Sequence, residues 1–398
     1  MSSIGDQLGI VAIAWIAVNA FGTAAGYLAA LQAGLTVLAG LVVGRCVDGR
    51  NERWVMIGAD LARAAVLGVA VAAWLVTRQT TATALVAVVG TLAIGQAVFR
   101  PAVQAFMPAI APSASMLPAI NALLDGTERL ARLAGPGLIA VIAARLPPMH
   151  FLTLDAFSFL VSAGALLAIG RRPTRSVRSR TALVPALLHG FRVLRRDRLL
   201  RFLLHTSGIN NGAWYAAMFL GIPLLVQHGQ TGADGVRAFG AIIACYGLSN
   251  FVANVIVGNR PFPRTPARMI LSGNILTGAG VALIGAASLL PGSPVWSLCL
   301  GAVVAGGGGP INDIPRTTLM QTVPAPGDVA ACFRAWLVTT NSGILVALLL
   351  APTLFATVGA AVGVALLGSA MVGAATIGLL CRLDDRSNAS FEPSEMSA

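Results

Sequence analysis

Apolar residues run in long blocks along nearly the whole chain, interrupted by short clusters of glycine, proline and charged residues. The blocks fall at 5–24, 27–46, 54–76, 82–106, 117–144, 150–169, 200–226, 236–258, 267–290, 295–314, 331–356 and 358–381, twelve in all. A hydrocarbon layer about 30 Å thick is crossed by a helix of roughly 20 apolar residues, so each block has the length of one transmembrane helix. The longest polar interval, 171–201, separates the sixth block from the seventh and divides the chain six and six. The pattern predicts an all-α polytopic membrane protein of twelve transmembrane helices. An N-terminal six-helix bundle is expected over 1–170, a basic cytoplasmic linker over 171–199, a C-terminal six-helix bundle over 200–382 and a cytoplasmic tail over 383–398. Inside the linker, Leu183, Leu187, Leu188, Phe191 and Leu194 recur at helical spacing opposite a basic face. That stretch reads as a helix lying on the anionic inner leaflet, or as a solvated linker.

Composition sharpens the picture. Of 398 residues, 56% are apolar and 11% charged, with mean hydropathy +0.80. Soluble domains carry about 25% charged residues, so little of this chain is left for a soluble catalytic domain. A net charge of +12 would raise nucleic acid as a partner of a soluble protein; here it reads as orientation, and no nucleic acid is expected. All 27 basic residues are arginine. With both termini inside, inner loops and tail hold 18 of them, whereas outer loops hold only Arg78, Arg145 and Arg237. The positive-inside rule therefore predicts cytoplasmic termini. The first block starts almost at Met1 without a basic flank, so no cleavable leader is expected. Five cysteines form no CxxC pair and the histidines have no second ligand at metal spacing, so neither a metal nor a cofactor is predicted.

Shifting the chain by 216 residues sets Arg100 on Arg316, Pro108 on Pro324, Asp125 on Asn341 and Pro136 on Pro352. One register held over helices four and five against ten and eleven is the mark of duplicated halves, a transporter architecture with its substrate site near the midplane.

Charges within the blocks are costly, at about 2.5–3.5 kcal/mol each at mid-helix, and are candidates for function. In the fifth block Asp125, Glu128, Arg129 and Arg132 share one stripe, each acid four residues before an arginine. Two readings stand: a self-neutralised ladder, or Asp125 and Glu128 as proton carriers with Arg129 and Arg132 as their partners or as an anchor for an anionic substrate. Asp60–Arg63 and Asp313–Arg316 are i,i+3 pairs, and Arg100 takes the place equivalent to Arg316. With Asp6 and Asp48 they suggest an inner gate, or simple anchors at helix ends. Asp155 reads as an acid at the outer start of the sixth helix, suited to the helix N-terminus. Asn19, Gln32, Gln96, Asn210, Asn211, Trp214 and Tyr215 are expected to line the substrate cavity. Gly306-Gly307-Gly308-Gly309-Pro310 lacks the Lys and Ser/Thr of a phosphate loop and reads as a hinge or a close helix contact.

After the second block, Gly44-Arg45-Cys46-Val47-Asp48-Gly49-Arg50-Asn51-Glu52-Arg53 resembles the loop 2–3 signature of the major facilitator superfamily through Gly44, Asp48 and Arg53. Ser3-Ile4-Gly5-Asp6, Phe99-Arg100-Pro101-Ala102, Gly135-Pro136, Asp155-Ala156-Phe157-Ser158-Phe159 and Gln321-Thr322-Val323-Pro324 are similar to the branch that includes enterobactin exporters and macrolide-efflux proteins. The resemblance implies two pseudo-symmetric six-helix bundles in a bacterial cytoplasmic (inner) membrane. It implies gating roles for Gly44, Asp48 and Arg53, and export of a siderophore-like compound, drug or antibiotic. No nucleotide-binding motif is present, so protons are the expected energy source, small organic molecules the substrates, and a monomer the working unit. Uptake by the same fold and a non-transporting membrane sensor are the alternatives. An enzyme is not expected, since no clustered nucleophile and base occur.

Overall fold

The computed structural model describes residues 2–47, 52–110, 127, 130, 131, 134–143, 145–169, 183–229, 232–260, 263, 265–290, 292, 294–325, 328–381 and 383. These residues form helices and connecting turns, with no strand among them. In chain order the helices are α1 (Ser2–Phe21), α2 (Ala25–Val47), α3 (Glu52–Thr77), α4 (Ala82–Ile110), α5 (134–142), α6 (Met149–Ala168), α7 (Leu183–Leu194), α8 (Arg198–Ala216), α9 (Ile222–Gly229), α10 (Gly232–Gly258), α11 (Pro266–Ala287), α12 (Val295–Thr322), α13 (Val329–Val358) and α14 (Ala360–Leu380). Among the described residues ten stretches are long and apolar enough to span a membrane. The first of them, Ser3–Leu38, takes in most of the first two blocks, because only a three-residue 3₁₀ turn separates α1 from α2. Shifted by 216 residues, the starts of α3, α4 and α6 fall within five residues of those of α11, α12 and α14.

Contacts group the chain into two compact units: Met1–Thr181 with Met218–Ala244 and Leu348–Ala360, and Ala182–Ala217 with Cys245–Ala347 and Ala361–Ala398. In the first unit α3 packs on α4 and α6, α1 on α6, and α2 on α4. Gly26 admits the Leu220 side chain and the Pro352 ring, each about 2.7 Å from where a Cβ would stand.

In the second unit α11 and α12 lie close because glycines face each other. A Cβ on Gly280 would stand 2.6 Å from the Ala305 Cα, and one on Gly273 would stand 2.8 Å from the Gly308 carbonyl. The Gly306–Gly309 run is thus a close helix contact, as its composition suggests. Pro310 inside α12 has no N–H for the carbonyl of Gly306, four residues earlier; Asn250 Nδ2 of α10 donates to that carbonyl at 3.2 Å instead. Asp197 caps α8 by accepting from the Leu200 N–H at 2.7 Å. The linker helix α7 buries Leu194 fully, with Leu187 and Phe191 packed on the same core, so this face lies on protein. His189 Nε2 donates to Asp328 Oδ1 at 2.7 Å and pins α7 to the turn before α13.

Candidate functional site

Charge in the interior of the first unit is concentrated where α1, α3 and α6 meet. Arg63 lies on α3, about 17 Å from the helix start at 1.5 Å per residue, and its side chain is 4% exposed. Its Nη2 donates to Asp60 Oδ1 one turn earlier, and Asp60 is fully buried. The guanidinium faces the rings of Phe99 and Phe159, whose centroids are 4.9 Å and 4.2 Å away. Cation–π attraction and two aromatic neighbours hold it in a plane, which a flexible ammonium would not match. Ser162 of α6 also hydrogen-bonds the Asp60 carboxyl group.

Asp155 completes this group. It stands in the second turn of α6 rather than at its start, and is 1% exposed. The position was expected to serve the helix N-terminus; the helix begins at Met149, so the carboxyl points instead into packed side chains and backbone. Two glycines of α1 make its place: a Cβ on Gly5 would lie 2.7 Å from Asp155 Oδ1, and one on Gly9 would overlap Oδ2. Ser158 Oγ donates to the Asp155 carbonyl at 2.8 Å and lies 3.4 Å from Oδ1. Asp6, half-buried between the two glycines, and Arg63 are both within electrostatic reach of Asp155. Gly5, in the first turn of α1, meets Ser158, midway along α6.

Other expected site residues are placed as follows. Arg53, buried at the start of α3, donates through Nε to the Leu166 carbonyl at 2.6 Å and through Nη2 to that of Leu167 at 2.7 Å. It thereby satisfies two terminal carbonyls of α6. Gly44 lies in the last turns of α2, and Arg100 is exposed on α4. Arg316 reaches Asp313 at 2.8 Å and covers the Trp336 ring at 4.8 Å. Asn19 binds the Trp15 carbonyl and accepts from Gln227 Nε2, both at 3.0 Å, beside a cavity of about 320 Å³ lined by Trp15, Trp74, Thr80, Pro147 and Pro148. Gln32 and Gln96 are half-buried on α2 and α4. On α8, Asn211 binds the Ser207 carbonyl, Asn210 is buried, and Trp214 packs between Tyr215 and Tyr246 with ring centroids 5.1 Å and 5.5 Å away. Asp48, Asp125, Glu128, Arg129 and Arg132 lie outside the described residues.

The structure therefore joins Asp6, Asp60 and Arg63 with Asp155, which was not among the expected site residues. Its signal was present as Gly5 and Gly9, one helical turn apart on either side of an acid. Among the described residues no cluster of three or more His, Cys, Asp or Glu side chains could hold a metal ion.

A family profile described as Major Facilitator Superfamily matches residues 1–333. No curated sequence matches the chain. In fold the chain is similar to a POT family transporter crystallised with thioalcohol conjugated peptide, at TM-score 0.68 and 14% identity over 95% of this chain and 94% of that one. It is similar also to the nucleoside transporter NupG, at TM-score 0.68 and 12% identity over 95% and 98%. A mutant of the peptide transporter POT gives TM-score 0.70 and 12% identity over 96% and 93%.

Proposed function

The chain belongs to the Major Facilitator Superfamily and is a multi-pass membrane transporter rather than an enzyme; from that premise we propose that it is a proton-coupled secondary active exporter of a small organic molecule. The observation that carries the coupling is the buried group Asp60, Arg63 and Asp155, which holds ionisable side chains inside membrane spans at a cost that an inert helix contact does not require. Alternating access rocks two halves about a central site, and protonation of a carboxylate lowers the cost of carrying it through an occluded state. Asp125 and Glu128 of the fifth block are the proposed carriers, with Arg129 and Arg132 as alternating partners. The interior arginines favour a substrate with hydroxyl and carboxylate oxygens, of which a siderophore-like compound or an oxygen-rich antibiotic is an example. Transporters of similar fold carry peptides and nucleosides by name, which fits a small polar organic solute. Asn19, Gln32, Gln96, Asn210, Asn211, Trp214 and Tyr215 are the proposed lining of its path. Asp6, Gly44, Asp48, Arg53, Asp60, Arg63, Arg100, Asp313 and Arg316 are proposed to stabilise one gate state. The protein is proposed to work as a monomer in a bacterial cytoplasmic membrane, with both termini inside.

Proteoliposomes with an imposed pH gradient test this reading. A hydroxycarboxylate siderophore and a lipophilic antibiotic serve as probes, and the direction of flux against the gradient identifies export. Asp125→Asn and Glu128→Gln are expected to lower gradient-driven flux about tenfold or more. Unaltered flux in both, in folded protein, removes the fifth block from the coupling.

A further inference from the structure

The last turns of α1 and α3 and the first turn of α6 enclose the cavity of about 320 Å³ beside Asn19, wholly within the first unit. Its walls are flat rings, the indoles of Trp15 and Trp74 and the pyrrolidines of Pro147 and Pro148; Asn19 and Thr80 add an amide and a hydroxyl. Small-molecule sites are mostly apolar with a few polar groups and measure about 300–1,000 Å³, so this one suits a solute of one or two rings. The walls are held from behind. Trp15 stacks on Phe239 of α10, with ring centroids 6.4 Å apart and planes 24° from parallel, and His150 meets the Trp74 ring edge-on at 5.7 Å. Asn19 is oriented by its bonds to the Trp15 carbonyl and Gln227, which use one donor and one acceptor position of an amide that has two of each.

Charge and backbone both point to an anion. Arg78, just after α3, has φ 55°, and among the described residues no other non-glycine residue has a positive φ. Glycine is the usual occupant of such a position after a helix. The Arg78 N–H donates to the Trp74 carbonyl at 2.7 Å, and its guanidinium lies over the Trp74 ring, 5.2 Å from the centroid. A cation is thus kept on a cavity wall despite a backbone conformation that glycine adopts without steric cost. Stacked on an indole, a guanidinium still offers its planar fork of donors to an oxyanion. Arg145 stands two residues before Pro147, so two of the three arginines that the positive-inside reading places outside border this cavity. No acidic residue occurs at 15–21, 71–81 or 145–152, the segments that form it. Asp234, at the start of α10, is paired with Arg237 at 3.6 Å.

We propose that this cavity binds a small aromatic acid as its anion. The ring lies against the tryptophan and proline walls, the acid oxygens accept from Arg78, and the Asn19 amide bonds a polar ring substituent. The site is complete within the first unit. Its place on a transport path rests on the exporter reading above, which it narrows to aromatic anions.

Titration calorimetry of the purified full chain in detergent, with protein-free micelles subtracted, tests the site. Naphthalene-2-sulfonate is the probe, since it is ionised at every working pH, and naphthalene-2-sulfonamide is its neutral counterpart of like shape. Wild-type protein is expected to bind the sulfonate at one saturable site. Arg78→Gly removes the guanidinium and suits the left-handed backbone; it is expected to weaken the sulfonate about tenfold or more and the sulfonamide less than about threefold. Trp74→Ala is expected to weaken both probes about tenfold. Absence of saturable sulfonate binding in wild type, or equal affinities for the sulfonate in wild type and Arg78→Gly, overturns the proposal, and the second comparison stands even where Trp74→Ala fails to fold. In proteoliposomes, saturable binding without pH-gradient-driven flux of the sulfonate supports the site and overturns its place on an export path. Gradient-driven flux of the sulfonate without saturable binding overturns the site and leaves the exporter reading standing.

Discussion

Single side chains in this protein act mainly on helices other than their own. Arg53 belongs to a signature associated with a loop, yet its guanidinium completes the end of α6 by donating to Leu166 and Leu167. Removing it leaves two terminal carbonyls of α6 without their charged donor. Arg53→Ala is therefore expected to destabilise the protein by about 1.5–3 kcal/mol, read as a lowered thermal unfolding midpoint in detergent. Gly9 is a residue chosen for what it lacks, since a methyl group there meets the Asp155 carboxylate. Gly9→Ala should cost about 1–3 kcal/mol through overpacking. Gly58→Ala, whose added methyl meets nothing within 4 Å, should stay within about 1 kcal/mol of wild type. Equal midpoints for the two variants would remove the argument that Gly9 is kept for the carboxyl group. Spacing showed that Asp60 and Arg63 could pair; it did not show that Asp155 shares the same interior, because Asp155 lies nearly a hundred residues later on another helix.

Within one element, the interruptions of α12 show how lipid changes the rules. Proline in a helix interior costs a hydrogen bond, and in hydrocarbon no water replaces it. Here Asn250 from α10 supplies the donor for the Gly306 carbonyl. Asn250→Ala should cost about 1–3 kcal/mol, and the double variant Asn250→Ala with Pro310→Ala should recover part of this by restoring a backbone N–H. Strict additivity of the two changes in unfolding free energy would sink the compensation. The same helix approaches α11 through glycine, so Gly280→Val is expected to lower stability by about 1–3 kcal/mol or more, whereas Gly307→Ala, with its nearest contact at an ordinary 3.4 Å, should be mild. The Gly306–Gly309 run could be recognised from the sequence as a close contact. Which glycine faces α11 and which faces α10 could not, since four successive glycines point in all directions around a helix.

Over the whole molecule, the arrangement of arginine makes a prediction about sidedness. In a cysteine-free background, Gln79→Cys should react with a membrane-impermeant thiol reagent in intact cells, and Asn259→Cys only after permeabilisation. The reverse pattern would overturn the placement of both termini inside. Amino-acid order alone determined the helical class, the lengths of most spans and the register that sets α4 on α12; the helix starts extend that register to α3 on α11 and α6 on α14. It could do so because hydrocarbon demands long apolar runs and penalises every charge, which leaves a one-dimensional record. Tertiary structure alone decided that Asp155 rests on Gly5 and Gly9, that Arg63 lies between two aromatic rings, and that Arg53 serves α6. A helix in lipid is apolar on every side, so no polar face marks which residues turn inward; the rotation of each helix about its axis, and with it every buried partner, is set only when the helices pack.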